Sequence, residues 1–175
     1  ERKSNYRPLL PGGKMIRFNS MDDLKHINNN TAAIIIELIQ SGSGFKVASK
    51  KWIREIKKKC KIFKSKLIFD EIQTCFGRTG KLFGFQNYNV IPDILCIAKG
   101  MGGGMPIGCF ISSTSMMKKF TSNPILGHIT TFGGHPVNCA ASLKTLEILL
   151  STNIINEVSK KENLFKKFLN HTEIE

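Results

Sequence analysis

Residues Lys66 to Lys99 read KLIFDEIQTCFGRTGKLFGFQNYNVIPDILCIAK, and two short apolar runs within them end on charged residues. Leu67-Ile68-Phe69 leads into Asp70 and Glu71, and Ile94-Leu95-Cys96-Ile97-Ala98 leads into Lys99. Neither run alternates apolar with polar, so each reads as a strand covered on both faces. Directly after the lysine comes the bend Gly100-Met101-Gly102-Gly103-Gly104-Met105-Pro106. Helical patterns separate the runs, which predicts an α/β layer: a mostly parallel sheet with helices on both faces. In such sheets ligands gather beyond the carboxyl ends of the strands. Asp70 and Lys99 stand there, as a buried acid and a buried amine at neighbouring strand ends.

Working outward, Ala32 to Glu37 is a further apolar run ending in an acid, and Gln40-Ser41-Gly42-Ser43-Gly44 turns the chain. Ser49 is placed to cap a helix whose buried stripe is Trp52, Ile53, Ile56 and Cys60, spaced by threes and fours. Strands are expected at Lys66–Asp70, Asp93–Ala98 and Ile107–Ser112. Pro136 suits the first turn of a helix through Ala140, Ala141, Leu143, Leu146 and Leu149. A last amphipathic helix is expected over Ile154–Leu169. Residues 1 to 30 read as a connecting region broken by Pro8, Pro11-Gly12-Gly13 and Asn28-Asn29-Asn30, with a short helix starting near Ser20.

The bulk numbers are those of an ordinary globular segment: 175 residues, 41% hydrophobic, with a mean hydropathy of −0.10. That length suffices for one sizeable core. No apolar run approaches the ~20 residues that cross a bilayer, and Glu1-Arg2-Lys3 does not open a signal peptide. A cytoplasmic location is the default expectation. The net charge of +13 invites a polyanion partner, but the cations are mostly Lys on apparent outer helix faces (Lys50, Lys51, Lys57–Lys59, Lys160, Lys161, Lys166, Lys167). A solvated surface is therefore the preferred reading, and nucleic acid is disfavoured. Five cysteines (60, 75, 96, 109 and 139) form no C-x-x-C pair, which supports neither a zinc site nor a redox dithiol.

Rival sites fail on spacing. Gly80-Lys81 resembles the end of a phosphate-binding loop, but Cys75 stands where its first glycine belongs and Leu82 where a hydroxyl must meet magnesium. The triple glycine at 102–104 has Ile107 in place of the third glycine of a dinucleotide fingerprint. His26, His128, His135 and His171 make no short ligand pair, so no metal site is expected. No G-x-S-x-G elbow is present. Asp70 and Lys99 remain, and from position alone a salt bridge at a strand exit explains them equally well.

A resemblance breaks that tie. The motifs DEIQT (70–74), GRTGKLF (77–83), PDILCIAKGMGGGMPIG (92–108) and GHITTFGGHP (127–136), with Pro8-Leu9-Leu10-Pro11-Gly12 ahead of them, closely resemble class-III aminotransferases. The likeness covers nearly the whole chain. It implies the fold type I of pyridoxal-phosphate-dependent transferases, with residues 1–150 the central part of the cofactor-binding large domain. Residues 151–175 would be a helix leading toward a small domain.

The resemblance also implies roles. Lys99 matches the lysine that forms the imine with pyridoxal 5'-phosphate and later moves the proton, so it is both catalytic and cofactor-binding. Asp70 matches the aspartate that pairs with the pyridine nitrogen and keeps the ring protonated. Gln73 matches a glutamine near the cofactor's phenolic oxygen. Thr131 matches a threonine that reaches the cofactor phosphate of the partner subunit, which implies a homodimer with a shared active site. Arg78 is given a structural place in its loop.

The implied reaction moves an amino group from an ornithine-like or acetylornithine-like donor to 2-oxoglutarate, a small-molecule amino donor and a 2-oxo acid being the partners. Alternatives are a transaminase of the 4-aminobutyrate type, then aminomutases and decarboxylases on the same scaffold. A noncatalytic basic remnant binding an acidic partner is the reading from outside enzymology.

Three departures bear on these expectations. Leu38 and Gly42 stand where the family commonly has a proline and an acid, which leaves the amino donor open. Cys75 replaces a usual glycine. The glycine-threonine phosphate cup, the ring-stacking aromatic and the carboxylate-binding arginine of the small domain have no counterpart here. The expectation is therefore a piece of a longer sequence or a degraded gene, inactive as an isolated polypeptide.

Overall fold

A computed structural model describes residues 2–9, 11–125 and 128–169. Leu10, Gly127 and His171, named above, lie outside the described residues, as do Glu1, Leu126 and the rest of 170–175. The strands are β1 (Ala33–Glu37), β2 (Ile39–Gln40), β3 (Lys46–Val47), β4 (Lys66–Asp70), β5 (Ile94–Ile97) and β6 (Cys109–Ser112). The helices are α1 (Lys50–Phe63), α2 (Thr114–Met117), α3 (Pro136–Ser151) and α4 (Val158–Phe168), with 3-10 turns between them.

The main sheet has the order β1-β4-β5-β6. β1, β4 and β5 run parallel, and β6 returns antiparallel on the edge. Parallel neighbours need a long crossover, and α1 supplies it between β1 and β4. Ser49 begins that helix as expected, its side chain accepting from Trp52 N–H at 3.2 Å. The stripe Trp52, Ile53, Ile56 and Cys60 is fully buried. It joins one core with Ile34, Ile36, Leu67, Phe69, Leu95 and Ile97 from alternate sheet positions. Trp52 also donates its indole N–H to Ser20 O at 3.0 Å, and Phe18 meets its ring edge-on at 5.2 Å. The opposite sheet face is more open, with Ile35 at 69% exposure.

The connecting region is more ordered than its breakers suggest. A 3-10 turn, Asp22–His26, sends Leu24 into the core. Arg17 clamps Asp23 with its guanidinium at 2.8–3.2 Å and its backbone N–H at 2.7 Å. Those hydrogen bonds hold the Asp23 carboxyl well below the usual carboxylate range.

One expectation holds with an addition, and one needs correction. The Gln40–Gly44 turn lies inside a small antiparallel hairpin, β2–β3, closed by Gly44 at φ +80°; two-residue strands are too short to show periodicity. The last helix starts at Val158, not Ile154. Residues before it turn so that Ile155 packs over Gly77, where a Cβ would stand 3.1 Å from Ile155 Cγ1. α3 begins at Pro136 as expected, and among the described residues no helix is long and apolar enough to cross a membrane.

Candidate active site at the carboxyl edge of the sheet

The register places Glu37, Asp70, Cys96 and Phe110 in one row across the sheet. This row ends β1 and β4 and lies one residue short of the end of β5. Asp70 closes β4, and Lys99 follows β5 by two residues. Asp70 is half-buried and lines a hollow of about 180 Å³ with Glu37, Gln40 and Trp52. Its Oδ1 accepts from Ile72 N–H at 3.0 Å, and among the described residues no donor reaches Oδ2.

Lys99 is exposed in this chain, not buried as its place after an apolar run suggests. Ala98 is the last residue on the strand path, and Lys99 itself turns into a left-handed conformation at φ +45°. Such a conformation is uncommon for a residue with a Cβ and calls for support from its surroundings. It starts the 3-10 turn Lys99–Gly102, and its Nζ donates to Gln73 Oε1 at 2.6 Å. The structure thus brings Lys99 and Gln73 together and puts Asp70 on the adjoining strand end.

Thr131 lies elsewhere. It is exposed and lines a hollow of about 360 Å³ with Pro106, Gly108, Gly134, His135 and Asn138. None of Asp70, Gln73 or Lys99 lines that hollow. The two regions are linked through the glycine bend. Asn138 donates to Pro106 O at 2.7 Å, and Gly103 packs against Thr145 of α3 so closely that any Cβ there would clash.

The sequence reading gave no role to Glu71, which is fully buried. Its carboxylate accepts from Gly84 N–H at 2.5 Å, Phe85 N–H at 2.6 Å and the Thr74 hydroxyl at 3.2 Å. Burial pushes its pKa up, and these three donors pull it back only in part. A charged residue following an apolar strand, with a hydroxyl three positions on, was the available signal. Its partners thirteen and fourteen residues away were not visible in the pattern.

Residues 14–174 match the family described as aminotransferase class-III. The chain belongs to the class-III aminotransferases. It is 37% identical to the acetylornithine aminotransferase of Clostridium acetobutylicum over 170 residues, 95% of this chain and 43% of that protein. Among solved structures, the ornithine aminotransferase of Toxoplasma gondii, crystallized with partial occupancy of PLP at its active site, matches with TM-score 0.86. It is 29% identical over 94% of this chain and 39% of its own. An (S)-enantioselective ω-transaminase from Thermomicrobium roseum matches with TM-score 0.70 and 35% identity, over 78% of this chain and 31% of its own. The class-III chain therefore spans about two fifths of the curated relative's length, and its α/β sheet is the one these aminotransferases share.

Proposed function

We propose that the protein carrying this chain is a pyridoxal-phosphate-dependent aminotransferase, moving an amino group from an ornithine-like or acetylornithine-like donor to 2-oxoglutarate. The observation that carries the reading is the Lys99–Gln73 contact beside Asp70 on the carboxyl edge of a parallel sheet. The residues fit the cofactor. Lys99 offers an accessible primary amine whose one hydrogen bond among the described residues is to Gln73, and Asp70 keeps one carboxylate oxygen for a ring N–H. When bound, pyridoxal phosphate supplies the electron sink for deprotonation of the amino-bearing carbon.

The chain's own residues do the rest. Lys99 would hold the cofactor through its Nζ, and the same amine would take and return the proton at that carbon. Asp70 holds a proton on the ring nitrogen by its negative charge. Gln73 orients the Lys99 amine through the 2.6 Å contact. Thr131, exposed and apart from the other three, suits a residue that serves the partner subunit's site, and we take the assembly to be a homodimer. The ω-transaminase match keeps a 4-aminobutyrate-type donor as the second reading.

The test uses the full-length gene product. Pyridoxal phosphate is added, the adduct is reduced with borohydride, and the labelled peptide is mapped; Lys99 is the expected position. A label on any other lysine would sink the assignment. Ornithine, acetylornithine and 4-aminobutyrate are then compared as donors to 2-oxoglutarate, and fastest turnover of 4-aminobutyrate would favour the second reading. No label, with steeply salt-dependent retention on DNA, is the outcome for a basic remnant.

A further inference from the structure

The turn Glu71–Cys75 touches the exit of β5 at three points. Glu71 N–H donates to Cys96 O at 2.9 Å. Gln73 takes the Lys99 amine. The Cys75 thiol reaches Ala98 O, with sulfur and oxygen 3.6 Å apart. Ala98 O also accepts from Met101 N–H at 3.1 Å, so one carbonyl anchors both the thiol and the 3-10 turn that Lys99 begins. The turn itself is stiff. Cys75 N–H returns to Glu71 O at 3.0 Å, and the Glu71 carboxylate is fixed by Gly84, Phe85 and Thr74. Cys75 is 1% exposed, and burial pushes its thiol up, which keeps the S–H proton available to donate.

We propose that this turn is a positioning element for Lys99, with the Cys75 thiol holding the Ala98 carbonyl and Glu71 anchoring the turn, so that the lysine keeps its left-handed backbone. A thiol is a weak donor, so the effect is local and modest. The inference rests on the reading of Lys99 as the covalent anchor, and its test is separable from that reading.

The experiment uses the full-length protein with Cys75→Ala and Cys75→Ser. Amide hydrogen exchange is followed by mass spectrometry in the peptide spanning 97–103 and in the α1 peptide spanning 50–63, without cofactor. Visible circular dichroism is then recorded with pyridoxal phosphate bound. Cys75→Ala is expected to speed exchange in 97–103 by about three- to tenfold, leave α1 unchanged, and alter the dichroic band. Cys75→Ser, which keeps a donor, restores both. Thr74→Val, which loosens the Glu71 anchor without touching Cys75, is expected to produce the same local pattern more weakly.

Parent-like exchange in 97–103 for Cys75→Ala would overturn the proposal. Equal acceleration in both peptides would overturn it too, since that marks general loosening. A borohydride label away from Lys99 would fail the functional reading while leaving the exchange result to decide the positioning claim.

Discussion

The chain divides at Lys99 into two regions of opposite character. Before it, residues 24–97 contain every fully buried apolar side chain of the described structure, from Leu24 through Trp52 and Phe69 to Ile97. After it, apolar side chains stand in solvent: Phe132 at 80%, Leu143 at 59% and Leu150 at 64% exposure. The first region supplies the core, with Met101 and Cys109 the partly buried additions from beyond Lys99. The second, with apolar residues on all sides of α3, has surfaces that this chain alone leaves open. The amine sits on the seam, with its backbone and its Gln73 contact in the closed region and its side chain exposed. Chemistry that needs both a rigid support and an approachable amine belongs at such a seam.

The largest expected effect tests the seam itself. Lys99→Ala should lower turnover by about 10³-fold or more, since both the covalent anchor and the proton carrier are lost. Steady-state transamination by the full-length protein measures it. Residual activity within tenfold of the parent would move the chemistry elsewhere.

Next, the two regions can be set against each other. Ile53→Ala, in the closed core, is expected to cost about 2–5 kcal/mol in denaturant unfolding. Leu143→Ala, on the open side, is expected to cost less than about 0.5 kcal/mol. A Leu143→Ala loss as large as that of Ile53→Ala, and dependent on protein concentration, would break the contrast and put α3 in a contact between chains.

Smaller again is Asp70→Asn. The asparagine side-chain oxygen can keep the Ile72 N–H contact, so the fold should stand, while the negative charge at the strand end is gone. Borohydride should still label Lys99, and turnover should fall by about 10²–10³-fold. Parent-like rates with label intact would remove Asp70 from the proposed mechanism and leave it as a strand terminus.

The same division governs what the sequence could reveal. The stripe Trp52, Ile53, Ile56 and Cys60, its Ser49 cap and the strand at Lys66–Asp70 were legible because each is a local pattern whose partners are inside the chain. The exposure of Lys99 was not legible. An apolar run predicts burial for the strand, but the left-handed turn that swings the lysine out depends on contacts from the Glu71–Cys75 turn, more than twenty residues earlier. Glu71 escaped notice for a similar reason, since its donors Gly84 and Phe85 are backbone groups, which no residue-type pattern records. In the open region, Pro136 fixed the start of α3 locally, whereas α4 yielded its first turn to a packing contact between Ile155 and Gly77. The roles of Lys99, Asp70, Gln73 and Thr131 came from resemblance to a family, because periodicity alone had left Asp70 and Lys99 as possible salt-bridge partners.

The smallest effect concerns the brace beneath the seam. Glu71→Ala strands the buried Gly84 N–H and the half-buried Phe85 N–H and should cost about 1–3 kcal/mol. Glu71→Gln asks the finer question of which protonation state the fold prefers. Burial, the largest influence on this carboxyl, raises its pKa in the folded state above the ordinary carboxylate value. The stability it contributes is then present in full below that ordinary value and is lost as pH rises through the raised one. Glutamine carries no charge at any of these pH values and does not titrate. The parent's stability relative to Glu71→Gln should therefore decline as pH rises above the ordinary carboxylate range, as followed by urea unfolding at each pH. A difference that grew with pH would mean that Gly84, Phe85 and Thr74 together outweigh burial. Glu71 would then anchor the turn as an anion, strengthening the hold on Lys99 as the solution becomes more basic.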